Sequence, residues 1–247
     1  MIADQDPLGW DTSAAADAYR GRDMRLAEKL VFPNVLQRLG RSPGSPDRLV
    51  LDIGCGTGAV AARVADTGEW TVQALDLSKD MLDIARADRP HPRISYRLFD
   101  GRTLSWLADD SVEAAVCCLV YCTDPDDDRL AALTAEIHRV LRPGAPYLLA
   151  DLNPAATGVA FSTLQQGEPG AVYTDGDTVP TLLRLLDGTT MTSATHYRSL
   201  DHYRSFLTEA GFPSPTVDLP TLTTDAPAED GPAETRTAPY MILTTHA

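Results

Sequence analysis

Lysine is almost missing from this chain. Among 247 residues there are 21 basic side chains, and only Lys29 and Lys79 are lysines. Set against 35 acids, they leave a formal charge of −14. Proteins hold phosphate backbones with clustered Lys and Arg, and no such cluster occurs, so a nucleic-acid partner is not expected. Long apolar runs are missing as well: none approaches the roughly 20 residues of a membrane helix, so no membrane partner is expected. The opening Met1-Ile2-Ala3-Asp4-Gln5-Asp6 lacks the basic and apolar parts of a signal peptide, which makes a cytoplasmic location the expectation. Cysteine is scarce. Cys55, Cys117, Cys118 and Cys122 make no C-x-x-C pair and have no histidine at zinc spacing, so buried, reduced thiols and no metal site are expected. What is present is a hydrophobic fraction of 43%, enough for a packed core.

The richest stretch is Leu49-Val50-Leu51-Asp52-Ile53-Gly54-Cys55-Gly56-Thr57-Gly58. An apolar run ends in an acid, glycines follow at alternate positions, and a helix-forming segment begins at Ala59. This reads as a buried strand, a tight turn and a helix N-terminus, an arrangement that favours a ligand approaching bare backbone. Before it, Asp11-Thr12-Ser13 offers N-caps for a helix running to about Leu30, and a shorter helix reaches Leu39. Arg41–Pro46 is a turn-rich linker. After it, strands are expected at Thr71–Asp76, Ile94–Phe99, Val112–Val120 and Tyr147–Leu152, with helices at Ser78–Ala87 and Arg129–Leu141 between them. Alternating strands and helices imply a parallel sheet with ligands at the carboxyl ends of its strands. The acids Asp124–Asp128 read as a solvated, helix-capping cluster rather than a magnesium site.

Past Asp151 the alternation stops. Residues 154–198 contain two polar turns whose flanking runs could pair as a hairpin. A helix from Leu200 ends at Gly211, and Phe212–Leu219 and Tyr240–Thr245 complete the strands. Pro220–Pro239 reads as a mobile loop. The expected architecture is α/β: a Rossmann-like, doubly wound, mainly parallel seven-stranded sheet with an N-terminal helical appendage and a cap inserted after the fifth strand. Its parts are a lid at 1–47, a cofactor-binding core at 48–153, a substrate cap at 154–198 and the completion of the core at 199–247.

The run Asp52-Ile53-Gly54-Cys55-Gly56-Thr57-Gly58 resembles the first motif of the class I S-adenosylmethionine-dependent methyltransferases. The resemblance covers about residues 48–152, with weaker echoes to residue 247. The resemblance implies S-adenosyl-L-methionine as cofactor, S-adenosyl-L-homocysteine as product, and a small-molecule acceptor methylated on oxygen, nitrogen or carbon. Asp52, Gly54, Cys55 and Gly56 would then border the methionine portion. Asp76, at the end of the second strand, would hold the ribose hydroxyls, with Leu77 and Met81 flanking the adenine. Asp100 and Gly101 follow the third strand, where the family places an acid near the adenine amino group. Cys118 and Leu119 fall beside the sulfonium. Tyr19 resembles a first-helix tyrosine that packs over the methionine moiety, where a ring gains from a nearby cation.

For the acceptor, Tyr121, Cys122, Asp151, Asn153, Tyr173 and Tyr197 are pocket candidates, and His196 is the candidate general base, since imidazole titrates near neutrality. Thr195-His196-Tyr197-Arg198 also resembles a family segment, and on a strand His196 and Tyr197 face opposite ways, so which one meets the pocket stays open. Two other readings remain: a protein that binds the cofactor without methyl transfer, and an NAD(P)-dependent oxidoreductase with similar glycines. Monomer and homodimer are equally compatible with the sequence. Composition rich in Ala, Asp and Arg suggests a bacterial, secondary-metabolic setting.

Overall fold

The computed structural model describes residue 16 and residues 19–40, 48–223 and 231–247. The N-cap candidates Asp11, Thr12 and Ser13 and the linker Arg41–Pro46 lie outside the described residues. Two short helices come first, α1 (Arg25–Leu30) and α2 (Phe32–Leu39). Pro33 stands in the first turn of α2, where a missing N–H is harmless. The alternation follows as β1 (Arg48–Ile53), α3 (Ala59–Asp66), β2 (Trp70–Asp76), α4 (Lys79–Asp88), β3 (Ile94–Leu98), β4 (Ala114–Cys118), α5 (Asp127–Val140) and β5 (Pro146–Leu152). Ser78 caps α4 through the Met81 N–H, and Asp126 caps α5 through the Arg129 N–H.

An inserted antiparallel sheet of β6 (Leu164–Gln166), β7 (Thr178–Arg184) and β8 (Thr190–His196) comes next. The chain ends with α6 (Leu200–Glu209), β9 (Thr216–Asp218) and β10 (Tyr240–His246). The main sheet has seven strands in the order β3-β2-β1-β4-β5-β10-β9. Strands β1 to β5 are parallel, and β10 lies antiparallel between β5 and β9. This is the doubly wound, mainly parallel architecture expected. Successive residues of β1 feed opposite cores, as the pleat dictates. Val50 joins Leu26, Val35, Val60 and Leu82 from α1 to α4, while Leu51 and Ile53 join Leu130, Ile137 and Phe206 from α5 and α6.

Four expectations are corrected. The N-terminal helix does not continue unbroken to Leu30. Arg22 forms an antiparallel bridge with Leu185, flanked by Asp23 N–H to the Arg184 carbonyl (2.9 Å) and Leu186 N–H to the Gly21 carbonyl (2.8 Å). An extended bridge and a helix cannot share the same backbone groups. The fourth strand stops at Cys118 rather than Val120, because Leu119 takes a left-handed φ of 61°. The hairpin expected around Leu186-Asp187-Gly188 is β7–β8, but β6 adds a third strand to it. The described ends of Pro220–Pro239 are tied down rather than free: Glu234 is buried, its carbonyl accepts the Leu222 N–H (2.9 Å), and its carboxylate accepts the Ser162 N–H (2.5 Å).

Candidate active site

The strand order reverses between β1 and β4, and a cavity of about 580 Å³ opens at the carboxyl ends there. The glycine turn after β1 forms one wall. Gly54 and Gly56 have φ of 65° and 52°, the left-handed region that glycine adopts without strain. A Cβ on Gly54 would stand 2.2 Å from Val120 Cγ2, so the turn can pass the β4 loop only with bare backbone. At Gly56 the nearest neighbour is the Tyr19 ring, 3.5 Å from where a Cβ would be.

Asp76 closes the floor. Its Oδ2 accepts the Gly56 N–H (2.7 Å) and its Oδ1 the Ser78 N–H (2.8 Å). Each oxygen keeps a lone pair, enough to accept two further hydroxyl groups. Burial raises its pKa, and the N–H groups of Ser78 and Gly56 oppose that rise. Leu77, Met81, Phe99 and Gly101 continue this wall. Across from it lie Cys118, Leu119, Val120 and Cys122. The inserted sheet roofs the cavity with Thr181, Leu183, Thr195 and His196. Thr195 Oγ1 accepts from Gln166 Nε2 (2.9 Å) and meets Thr181 Oγ1 at 2.8 Å, so the roof is polar as well as apolar. Burial, aided by the Arg198 charge, pushes the His196 pKa below 6.5. Burial pushes the Cys118 and Cys122 thiols up, so they are protonated at neutral pH and poor nucleophiles.

Of the residues expected here, Tyr19, Gly54, Gly56, Asp76, Leu77, Met81, Gly101, Cys118, Leu119, Cys122 and His196 line the one cavity. The open choice at β8 resolves: His196 lines it, while Tyr197 stacks on Tyr173 at 6.3 Å outside it. The Tyr173 hydroxyl accepts the Glu168 N–H (3.1 Å). The other expected residues fall elsewhere. Asp52 and Cys55 are buried and stand outside the cavity lining, to which this run contributes Ile53, Gly54 and Gly56. Asp100 is exposed; its Oδ1 accepts the N–H groups of Thr103 and Arg102 (both 2.8 Å) and its Oδ2 the Thr103 hydroxyl (3.2 Å), and these bonds hold its pKa below the ordinary value. Tyr121 turns into the core, its hydroxyl between Thr134 Oγ1 (2.6 Å) and the Tyr147 hydroxyl (3.2 Å). Asp151 is buried beside the site, accepting the Cys122 N–H (3.0 Å) and the Leu152 N–H (2.7 Å). Asn153 caps the turn that follows β5 and donates to the Ala238 carbonyl (2.9 Å).

The structure adds residues that the sequence did not single out. Arg129 lines the cavity and is clamped to Asp124 at 2.5–2.6 Å. Arg22 lines it where its backbone bridges Leu185, a contact no local pattern announces. Arg198 is buried outside the cavity and donates to the carbonyls of Tyr121 and Asp124 and to the Asp127 carboxylate. The acids at 124–128 act as caps and ion-pair partners: Asp126 caps α5, Asp124 pairs with Arg129 and Asp127 with Arg198.

A glycine turn, an acid at the end of the second strand and a cavity at the switch point together define a nucleotide-cofactor enzyme of the doubly wound α/β class. Comparison with known proteins narrows the class. Residues 50–144 match the family model described as a methyltransferase domain. The chain is 32% identical over 212 residues to the N-demethylindolmycin N-methyltransferase of Streptomyces griseus, covering 85% of this chain and 89% of that one. It is 31% identical over 193 residues to an O-methyltransferase of Pyrenophora dematioidea, spanning 76% of this chain and 62% of that relative. In fold it resembles the S-adenosylmethionine-bound amino pentose methyltransferase CalS10 of Micromonospora echinaspora, with a TM-score of 0.61, 18% identity, and coverage of 98% and 100% of the two chains. The chain belongs to the S-adenosylmethionine-dependent methyltransferases. Its cavity fits that cofactor: the turn is bare where a ligand must touch backbone, and Asp76 is held by two N–H groups with two lone pairs to spare.

Proposed function

We propose that the methyl acceptor is a free small molecule held between the glycine turn and the inserted sheet, with His196 as its general base. One observation carries this reading. A single cavity runs from Gly54 and Asp76 to Thr181 and His196, and its volume of about 580 Å³ suits small ligands rather than a polymer. A net charge of −14 also disfavours nucleic acid. In this reading residues 1–47 act as lid and 154–198 as cap around the core, and the protein works in the cytoplasm, where its free thiols stay reduced.

When bound, S-adenosylmethionine supplies a methyl group from a positively charged sulfur. The chain's residues bind, align and exclude water. Asp76 would hold the ribose hydroxyls with the lone pairs left free by Gly56 and Ser78. Leu77, Met81 and Phe99 would enclose the adenine. Tyr19, lying on Gly56, would cover the methionine portion. His196, neutral at pH 7, takes a proton from an acceptor O–H, N–H or acidic C–H.

The test couples S-adenosylhomocysteine release to methylated product over phenols, heterocyclic amines and acidic carbons. N-demethylindolmycin belongs in the panel, since the Streptomyces griseus relative is named for it. His196→Ala is expected to lower turnover by about 10²-fold or more with cofactor affinity unchanged. Wild-type activity should hold until the pH falls below 6.5, because the imidazole pKa is depressed. Unchanged turnover in His196→Ala removes the base role; bound cofactor with no methylated product removes methyl transfer.

A further inference from the structure

Two guanidinium groups line the cavity, and they differ in one respect. Arg129 is neutralised by Asp124 at 2.5–2.6 Å. Arg22 is only 8% exposed, its Nε has no hydrogen-bond partner, and no carboxylate among the described residues pairs with it. A guanidinium does not lose its proton, and a buried charge without a partner is unfavourable. The backbone fixes where this charge sits. The bridge to Leu185 and the bonds at Gly21 and Asp23 join residues 21–23 to the end of β7, at the seam between inserted sheet and core.

The seam lies on the acceptor side. The Tyr19 ring, not Arg22, lies against Gly56, and the Arg22 guanidinium carbon is 5.7 Å from the centre of that ring. The Arg22 charge acts to lower the pKa of Tyr19, Cys122 and Tyr240. Thr181 and Leu183, on the same strand β7 that leads to Leu185, line the cavity with Arg22.

We propose that Arg22 is the anchor for an anionic oxygen of the acceptor, so that the substrate class is a small carboxylic acid bound through its carboxylate. The planar guanidinium fork matches a carboxylate in two parallel bonds. The inference rests on the methyltransferase reading and names the acceptor class within it.

The experiment uses protein loaded with S-adenosylhomocysteine and a matched pair of probes, phenylacetate and phenylacetamide, followed by titration calorimetry. Phenylacetate is expected to bind about tenfold more tightly than the amide, the scale of a charge-assisted pair. Arg22→Gln should abolish the difference, and Arg22→Lys should keep part of it. Both variants should bind S-adenosylhomocysteine and 5′-methylthioadenosine, which lacks the amino-acid end, as the wild type does. Equal binding of the two probes to wild type, including no binding of either, overturns the proposal without any variant. Survival of the acid preference in Arg22→Gln also overturns it. So does weaker S-adenosylhomocysteine binding in that variant with 5′-methylthioadenosine unaffected, which would give Arg22 to the cofactor's own carboxylate. Failure of wild type to bind S-adenosylhomocysteine would sink the underlying methyltransferase reading, a separable result.

Discussion

Asp52 sits in an environment far from its ordinary one. It is 1% exposed at the end of β1, and neither carboxylate oxygen makes a hydrogen bond of good geometry. Burial raises its pKa to about 7, the nearby Asp76 charge adds to the rise, and the Ala61 N–H opposes it. The sign of the consequence follows. In the unfolded chain the group ionises from its ordinary 3.8, while in the folded protein it stays protonated until about 7. Its contribution to stability is therefore complete below pH 3.8 and is lost progressively as the pH rises to 7. Between pH 5 and pH 8 the loss amounts to about 3 kcal/mol. Asp52→Asn removes the titration while keeping the shape. Denaturant unfolding at both pH values should show wild type losing stability relative to the variant by about that amount. Parallel profiles for the two proteins would show that Asp52 ionises normally.

At the scale of elements, the glycine turn and the acid at the end of β2 were legible because their chemistry is local: a left-handed backbone needs glycine, and a strand-end acid needs only its own strand. The residues after β4 were not legible. Leu119 at φ 61° ends the strand early, and Tyr121 lies in the same core as Ala115 and Cys117 rather than facing the acceptor as expected. No composition signal announces a left-handed leucine. The bridge from Arg22 to Leu185 was hidden for another reason: it joins segments over 160 residues apart, beyond any local pattern. Arg198 shows how such long-range contacts position the site. Two residues past His196, its buried guanidinium grips the carbonyls of Tyr121 and Asp124, which bracket Cys122 and Thr123 on the cavity wall. Arg198→Gln leaves those acceptors without a charged donor and should cost roughly 3 kcal/mol of stability. It also removes a charge that depresses His196, so the imidazole pKa followed by NMR should rise toward 6.5. A stable variant with an unmoved imidazole pKa would mean that Arg198 neither clamps the loop nor acts on His196.

The whole molecule carries an imbalance that no local contact removes. Arg20, Arg63, Arg86, Arg139 and Lys79 all form ion pairs near the surface, with Asp88, Glu28, Asp83, Asp109 and Asp83 respectively. Salt weakens such pairs, but each is worth only about 0–1 kcal/mol. The remaining excess of 14 acids repels across the whole surface, and compaction brings those charges closer than in the unfolded chain. Salt shortens the screening length from about 10 Å at 0.1 M to about 3 Å at 1 M, which suppresses long-range repulsion more than contacts at hydrogen-bond distance. The two effects oppose each other, and the unpaired excess decides the sign. The melting temperature should rise by about 2–5 °C between 0.05 M and 1 M sodium chloride, equivalent to roughly 1 kcal/mol for a chain of this size. A fall over that range, read by differential scanning calorimetry, would mean that the surface pairs outweigh the excess. The same field bears on an acidic acceptor, which must approach against the net charge to reach Arg22. Screening should therefore speed its association, while the buried pair it forms with Arg22, shielded from the solvent, should respond to salt much less.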